Sequence, residues 1–328
     1  MQKYYNSFTD YCKNTFQRKL YRVALDANMT CPNRDGRIDH RGCIFCDEGG
    51  SGDFAIKYTG QSLTKEDLIY NHQDADGGDY IAYFQAYTNT YAPVETLEHL
   101  FSSALKDPLF CGLSIATRPD CIHEDTIALL KKLRQEYPDK FIWIELGLQT
   151  IHPKSALFIR RGYPLSVFDA CVDALHAIDI PVIVHVILGL PNETKQDMIE
   201  TIQYLNTKKI FGIKLQLLHY LKGCDLGRVY EKDPSLFHVL SLEEYIDIIT
   251  DCIGYLDENI VIHRLTGDGA SDLLLAPLWS MNKRHVLNQI LHTLKIKNIH
   301  QGCFTYKCED NCCKMNTREA SSGNYGQK

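Results

Sequence analysis

The chain has 328 residues, of which 45% are hydrophobic and 23% charged, and its formal net charge is −6. This is ordinary globular composition, and no apolar run approaches the roughly 20 residues of a membrane span, so no membrane association is expected. The acidic balance argues against holding nucleic acid on a broad basic surface, although a local basic groove survives such an average, so nucleic acid is neither required nor excluded.

The opening residues, MQKYYNSFTDYCKNTF, are polar and aromatic and lack the apolar core of a secretory signal, which points to the cytoplasm. In that reducing compartment, clustered cysteines among the thirteen present speak for metal or redox chemistry rather than disulfides. Cys111, Cys171 and Cys252 stand in apolar or helical surroundings and read as small core residues.

Beyond an N-terminal extension (1–18), a strand is expected at 19–26, directly ahead of a loop rich in glycine and cysteine from residue 28 to about residue 54. A helical pattern follows at 64–71. Strands at 79–87, 110–117, 140–149, 181–189 and 211–220 then alternate with helices at 94–105, 125–136, 167–178, 195–205 and 242–256. Ser241 three residues before Glu244 forms a capping-box signature, and Pro93, Glu124 and Asp125 sit where first-turn residues belong. Six strand–helix units crossing over with one hand curl into an open α/β fold, a partial (β/α)6 TIM-type barrel over 19–268, with function at the C-terminal ends of its strands. A C-terminal helical segment (269–302, with a helix at 283–294) and a cysteine-bearing tail (303–328), disordered towards its end, complete the chain.

The strongest chemical signal is TCPNRDGRIDHRGCIFCDEGGSGDF, in which Cys43 and Cys46 form a close pair and Cys31 lies upstream. A three-cysteine loop can hold a cubane cluster while leaving one iron for a ligand that is not protein. Glycines at 36, 42, 49, 50 and 52 let the backbone bend around such a core. Two other readings stand beside it: a structural zinc site with His40 as fourth ligand, and three unrelated thiols.

The loop resembles the cluster motif of the radical SAM superfamily, in the long-spaced variant of the Elongator catalytic subunit, and its CPNRDG string resembles an uncharacterised bacterial branch of that superfamily. The likeness runs from about Tyr21 to Asp268. It implies that Cys31, Cys43 and Cys46 ligate three irons of a 4Fe-4S cluster. It implies further that S-adenosylmethionine chelates the fourth, and that reductive cleavage gives a 5′-deoxyadenosyl radical which abstracts hydrogen from substrate. Flavodoxin or ferredoxin is the reductant that the likeness implies, and tRNA is its most concrete substrate, with a small metabolite as the other.

Alternation along a strand puts Glu145, Gly147 and Gln149 on one face, where a carboxylate and an amide suit ribose hydroxyls and glycine admits their bulk; a polar patch in a barrel mouth is the plainer account. Arg161, in FIRRGY, matches in separation a SAM-binding arginine of the coproporphyrinogen oxidases, with Arg160 as its alternative and an exposed helix-end pair as the ordinary explanation. HVILGLPNET resembles the glycine-containing fifth-strand motif that packs on adenine, with Ile187 and Gly189 on the face of His185; that family has aspartate where this chain has His185. YFQAYTNT stands where many members carry Gly-Gly-Glu, leaving the carbonyls of Gln85 and Ala86 to meet the methionine amino group, with Tyr87 and Thr88 unassigned. Thr117 and Arg118 bond cofactor or substrate, or shape the turn before Pro119.

His263, Arg264 and Asp268 fall where a loop meets substrate, and Cys303, Cys308, Cys312 and Cys313 raise a second metal centre against a flexible tail with reactive thiols. The function read from the residues is therefore a radical SAM enzyme of unassigned substrate. A zinc-stabilised binding module and an iron-sulfur electron carrier are the competing classes.

Overall fold

The structure is a computed structural model and describes residues 3–47, 49–50, 55–68, 79–267 and 272–305. Eight strands form one parallel sheet: β1 (Tyr21–Asp26), β2 (Ile56–Lys57), β3 (Tyr80–Phe84), β4 (Phe110–Thr117), β5 (Phe141–Gln149), β6 (Val182–Leu188), β7 (Gly212–Leu217) and, after the two-residue β8 (Tyr220–Leu221), β9 (Val261–Arg264). Their order is β2-β1-β3-β4-β5-β6-β7-β9. The six expected strands are thus consecutive in the sheet, flanked by a short strand at each edge. No β2–β9 pairing closes it among the described residues, as expected of a partial barrel. A separate two-stranded sheet joins β8 to β10 (Leu274–Ala276).

Helices fill the crossovers. α1 (Phe8–Phe16) precedes the sheet. α2 (Val94–Lys106), α3 (Glu124–Glu136), α4 (Pro153–Phe158), α5 (Leu165–His176), α6 (Lys195–Asn206), α7 (Asp225–Lys232), α8 (Leu242–Tyr255) and α9 (Lys283–Ile296) follow. The Ser241–Glu244 capping box starts α8, and α6 has a second in Thr194 and Asp197. At the expected helix over 64–71 the chain makes a 3-10 turn, Lys65–Leu68, with the remaining positions outside the described residues. α1, α4 and α7 were not legible from periodicity. They are short, and α7 carries polar residues over most of its length.

Apolar side chains between sheet and helices, such as Leu130 of α3, Val184 of β6 and Ile249 of α8, form the main core. Each contributes roughly 1.5–3 kcal/mol by burial. A second cluster closes the N-terminal end of the strands. Trp143 stacks on Phe141 at 4.0 Å and meets Phe8 of α1 edge-on at 6.2 Å, while Tyr11 packs on Phe211 at 5.0 Å. That aromatic plug leaves the C-terminal end of the sheet as the open mouth. Three expected strands end early there, at Phe84, Leu188 and Leu217, the first two for visible reasons. Asn89 donates its side-chain amide to the carbonyls of Phe84, Ala86 and Ala116, drawing the chain out of β3. Gly189, at φ +85°, turns it out of β6.

Candidate active site

The cysteine loop runs between β1 and β2 over the mouth and is folded by its own polar side chains. The Arg34 and Cys46 amides donate to the carbonyls of Cys31 and Cys43 at 2.8 and 3.0 Å, and that of Gly42 to Asn33 at 2.7 Å. Arg34 reaches across to the carbonyls of Cys46 (3.0 Å) and Asp47. Asn33 is fully buried; its amide nitrogen donates to the Cys43 sulfur at 3.4 Å and to the Arg160 carbonyl at 2.7 Å. A turn at Arg160 (φ +56°) and Gly162 (φ +84°) offers that carbonyl. A Cβ at 162 would come within 2.9 Å of Asn33 Oδ1, so the close approach of turn and loop requires glycine.

Cys31, Cys43 and Cys46 line a cavity of about 530 Å³ at the mouth. Burial, then the neighbouring Cys43, pushes the Cys46 thiol up to about 12 against the pull of Arg34; burial likewise raises Cys43. His40 is exposed and folds over Gly36, where a Cβ would lie 2.3 Å from its ring, and it does not line the cavity. Among the described residues, the trio of His, Cys, Asp or Glu side chains whose ligand atoms lie within 4.8 Å of one another is His152, Asp197 and Glu200. The loop thiols are therefore spread more widely than one tetrahedral zinc ion needs, about 3.8 Å between sulfurs given its bond length. Three half-buried thiols on a glycine-bent loop, one already taking an amide N–H at sulfur, fit a larger iron-sulfur core.

Deeper in the cavity, the strand interiors hold a buried polar network. Glu145 accepts from Ser114 at 2.6 Å on one oxygen and, on the other, from His185 at 2.6 Å and from the Lys214 ammonium. Lys214 also donates to the Tyr83 hydroxyl at 3.0 Å. One level below, Arg22 donates to His263 Nδ1 at 2.5 Å. Burial alone would raise the Glu145 carboxyl, but Lys214, His185 and Arg22 outweigh it and hold it well below the usual range. Burial lowers Lys214 in spite of Glu145, and burial followed by Lys214 lowers His185, so its imidazole is neutral at neutral pH. Both Glu145 oxygens are committed to protein partners, and a direct ribose bond would have to share them.

Arg161 is 3% exposed, not a helix-end residue in solvent. It ties the end of β5, with Nη1 donating to the carbonyls of Leu148 (3.0 Å) and Thr150 (2.6 Å) and Nε to Tyr163 (3.1 Å). Arg160 instead pairs with Asp225 at 2.6 Å. Arg118 grips Asp120 with two bonds and donates to the Arg161 carbonyl at 2.8 Å. Gln149 sits at φ +64°; with its amide oriented to satisfy both atoms, it donates to the carbonyls of Gly147 (3.2 Å) and Leu148 (2.9 Å).

Gln85, Thr117, Gln149, Arg161, His185 and Ile187 all line the cavity, as does Glu145, whereas Ala86 does not. The Ala86 carbonyl accepts from Asn89 at 3.1 Å, and the Thr117 hydroxyl pairs with that of Thr90 at 2.6 Å. Of the later candidates, Arg264 lines the cavity and His263 faces Arg22 beneath it, while Asp268 lies outside the described residues, as do Cys308, Cys312 and Cys313. Cys303 is half-buried against the main core. Sequence reasoning missed Asn33, Tyr83 and Lys214. The signal for Lys214 was present: a lysine between apolar residues in GIKLQL occupies an inward position on a buried strand.

The chain belongs to the radical SAM superfamily, whose model matches residues 37–205, and a Radical_SAM C-terminal domain model matches residues 210–296. Its enzymes share a chemistry while differing in reaction. Among individual proteins, the chain is 40% identical over 311 residues to YtqA of Bacillus subtilis, covering 94% of this chain and 95% of that protein. It is 30% identical over 285 residues to YhcC of Escherichia coli K12, covering 86% and 90%. The archaeal Elp3 of Methanocaldococcus infernus, solved without residues 1–46 of its N-terminus, shares the fold with a TM-score of 0.61 at 14% identity, over 87% of this chain. This protein spans only 65% of that structure's length. Among the described residues no helix is long and apolar enough to cross a membrane.

Proposed function

We propose that Cys31, Cys43 and Cys46 hold three irons of a 4Fe-4S cluster and that S-adenosylmethionine lies across the strand ends beside it. When bound, this pair would supply a 5′-deoxyadenosyl radical by reductive cleavage of a carbon-sulfur bond, and that radical takes hydrogen from a substrate in the same cavity. The observation that carries the reading is the set of three loop thiols at the open end of a parallel sheet, with Asn33 donating to the sulfur of Cys43.

The protein's own residues position and shield. Asn33 and Arg34 keep the loop in one conformation before cofactor arrives, so less ordering is left to pay on binding. Gly147 brings no side chain to the middle of β5, where the Gln149 amide folds over it and, with Thr117, lines the wall offered to the nucleoside. Ile187 offers adenine an apolar contact, and the Gln85 carbonyl faces the methionine amino group. Arg161 fixes the end of β5, and its Nη2, uncommitted among the described residues, serves the methionine carboxylate. The aromatic plug keeps water from entering beneath a reactive radical. A flavodoxin or ferredoxin delivers the electron. The hydrogen donor is a tRNA nucleoside or a small metabolite.

Anaerobic reconstitution tests this. The expected protein is brown, carries about four irons per chain, and forms 5′-deoxyadenosine with dithionite and S-adenosylmethionine. Cys43→Ala should lower that product at least a hundredfold while the circular dichroism spectrum is kept. Zinc without iron would establish a binding module instead, and iron without nucleoside cleavage an electron carrier.

A further inference from the structure

Helix α9 is basic in an acidic chain. From Lys283 to His300 the sequence KRHVLNQILHTLKIKNIH holds Lys283, Arg284, Lys295, Lys297 and three histidines but no acid, in a protein whose formal net charge is −6. One side of the helix is apolar and used: Val286, Ile290 and Leu294 are buried in the main core, with α8 packed against it. The helical period puts Arg284, His285, Asn288, Leu291, His292 and Lys295 on the other side, and all six are exposed. Arg284 and Lys295 stand roughly 16 Å apart along the axis.

The surroundings do not cancel this charge. Arg284 and Lys295 make no ion pair among the described residues. The acids of α8 are mostly engaged: Asp247 with Lys297 at 2.8 Å and with Lys195 at 2.6 Å, Asp251 with Lys195, and Glu244 with His238 at 2.9 Å and the Ser241 cap. Glu243, in the first turn of α8, is the remaining exposed acid of that helix.

The basic face also has a fixed place relative to the site. Lys283, the first residue of α9, lines the cavity, and the rest of the helix lies beyond the lining. The face therefore starts at the opening that a substrate must pass. Separated cations with asparagine and histidine between them suit a chain of phosphates and its bases, since phosphates take Arg, Lys and Asn contacts and unpaired bases stack on His and Arg. A helix lying on a membrane keeps its apolar side outward, and in α9 that side faces the core.

We propose that the exposed face of α9 is an RNA-docking surface, on which a strand lays its phosphates while one nucleotide reaches past Lys283 into the mouth. Delivery of that nucleotide to a radical rests on the radical SAM reading, whereas the docking does not.

Fluorescein-labelled total tRNA is titrated with the anaerobically reconstituted protein and followed by fluorescence anisotropy at several salt concentrations. Saturable, salt-dependent binding is expected. Arg284→Gln/Lys295→Gln should weaken it roughly fivefold or more and reduce the slope of log affinity against log salt by about 1.5–2, the share of two phosphate contacts. Both side chains are exposed, so melting temperature and iron content should stay at their wild-type values. The same charge removed from exposed positions of α2 and α3, in Lys106→Gln/Lys131→Gln, should leave the affinity unchanged. No saturable binding by folded wild type, equal affinity in the folded α9 variant, or an equal loss in the α2 and α3 variant overturns the proposal. So does α9-dependent binding of poly-glutamate or of phosphatidylserine vesicles in place of tRNA, which would assign the face to an acidic protein or to a membrane. Protein that binds tRNA through α9 yet cleaves no S-adenosylmethionine spares the docking face and sinks the radical reading. Protein that forms 5′-deoxyadenosine but binds no tRNA does the reverse.

Discussion

Asn33 donates its side-chain amide to the sulfur of Cys43 at 3.4 Å and, from the same nitrogen, to the carbonyl of Arg160 at 2.7 Å. One residue of the CPNRDG string thereby joins the cysteine loop to the turn after α4, and it does so from a position without solvent exposure. In the proposed cluster site, the asparagine would orient the Cys43 sulfur and draw charge from it.

A donor at sulfur favours the reduced, more negative state of a cluster. Asn33→Ala should therefore lower the midpoint potential of that cluster, by about 40 mV if the bond is worth about 1 kcal/mol to a one-electron couple. A redox titration followed by electron paramagnetic resonance measures it. An unchanged potential at full iron content would show that the bond has no electronic role.

Gly162 carries a second prediction. A Cβ there would lie 2.9 Å from Asn33 Oδ1 and 3.3 Å from Arg118, on a backbone at φ +84°. Gly162→Ala should cost about 1–3 kcal/mol through strain and lower the iron retained per chain, because the turn must move off the loop. Wild-type melting temperature together with wild-type iron content would contradict this account.

The Glu145–Lys214 pair is wholly interior, with side-chain exposures of 0% and 2%. Lys214→Met alone should destabilise by about 3–5 kcal/mol, since it strands a buried carboxylate, whereas adding Glu145→Gln should return most of that loss. Urea unfolding of the two single variants and the double variant gives the coupling. Additive losses would mean that the two charges do not support one another.

Stability should fall on acidification below about pH 6.5. His185 is lowered from 6.5 by burial and then by Lys214, and His263 well below 6.5 by burial and then by Arg22. Folded-state values below the unfolded ones mean that the unfolded chain binds more protons in this window, so unfolding free energy rises with pH. Glu145, also depressed, adds a further loss below about 4.5. Urea midpoints at pH 7.5 and 5.5 test the histidine part; equal midpoints would rule it out.

Much of the architecture was legible because it is written in local pattern. Strands such as FCGLSIAT and VIVHVIL are apolar runs that only a sheet covered on both faces can use, and helices such as 242–256 announce their start with a capping box. β2, β8 and β10 have two or three residues each, too few to show a period. The strand expected to reach residue 87 stops at Phe84 because Asn89 bonds carbonyls on two strands, a long-range contact with no local sign.

The cysteine loop, the inward face of β5 and the arginine after α4 were visible as residue types at telling spacings, since ligand chemistry restricts which side chains can appear. Residue order alone determined a parallel α/β sheet and a thiol-bearing loop at its mouth, because hydrophobic periodicity and cysteine spacing are properties of neighbours in the chain. Tertiary structure decided the rest: that Asn33 meets Cys43, that Arg161 is buried on carbonyls, and that Glu145 pairs with Lys214 across 69 positions of sequence. Such partners are chosen by register between strands and by the desolvation of charge, and neither exists until the sheet has formed.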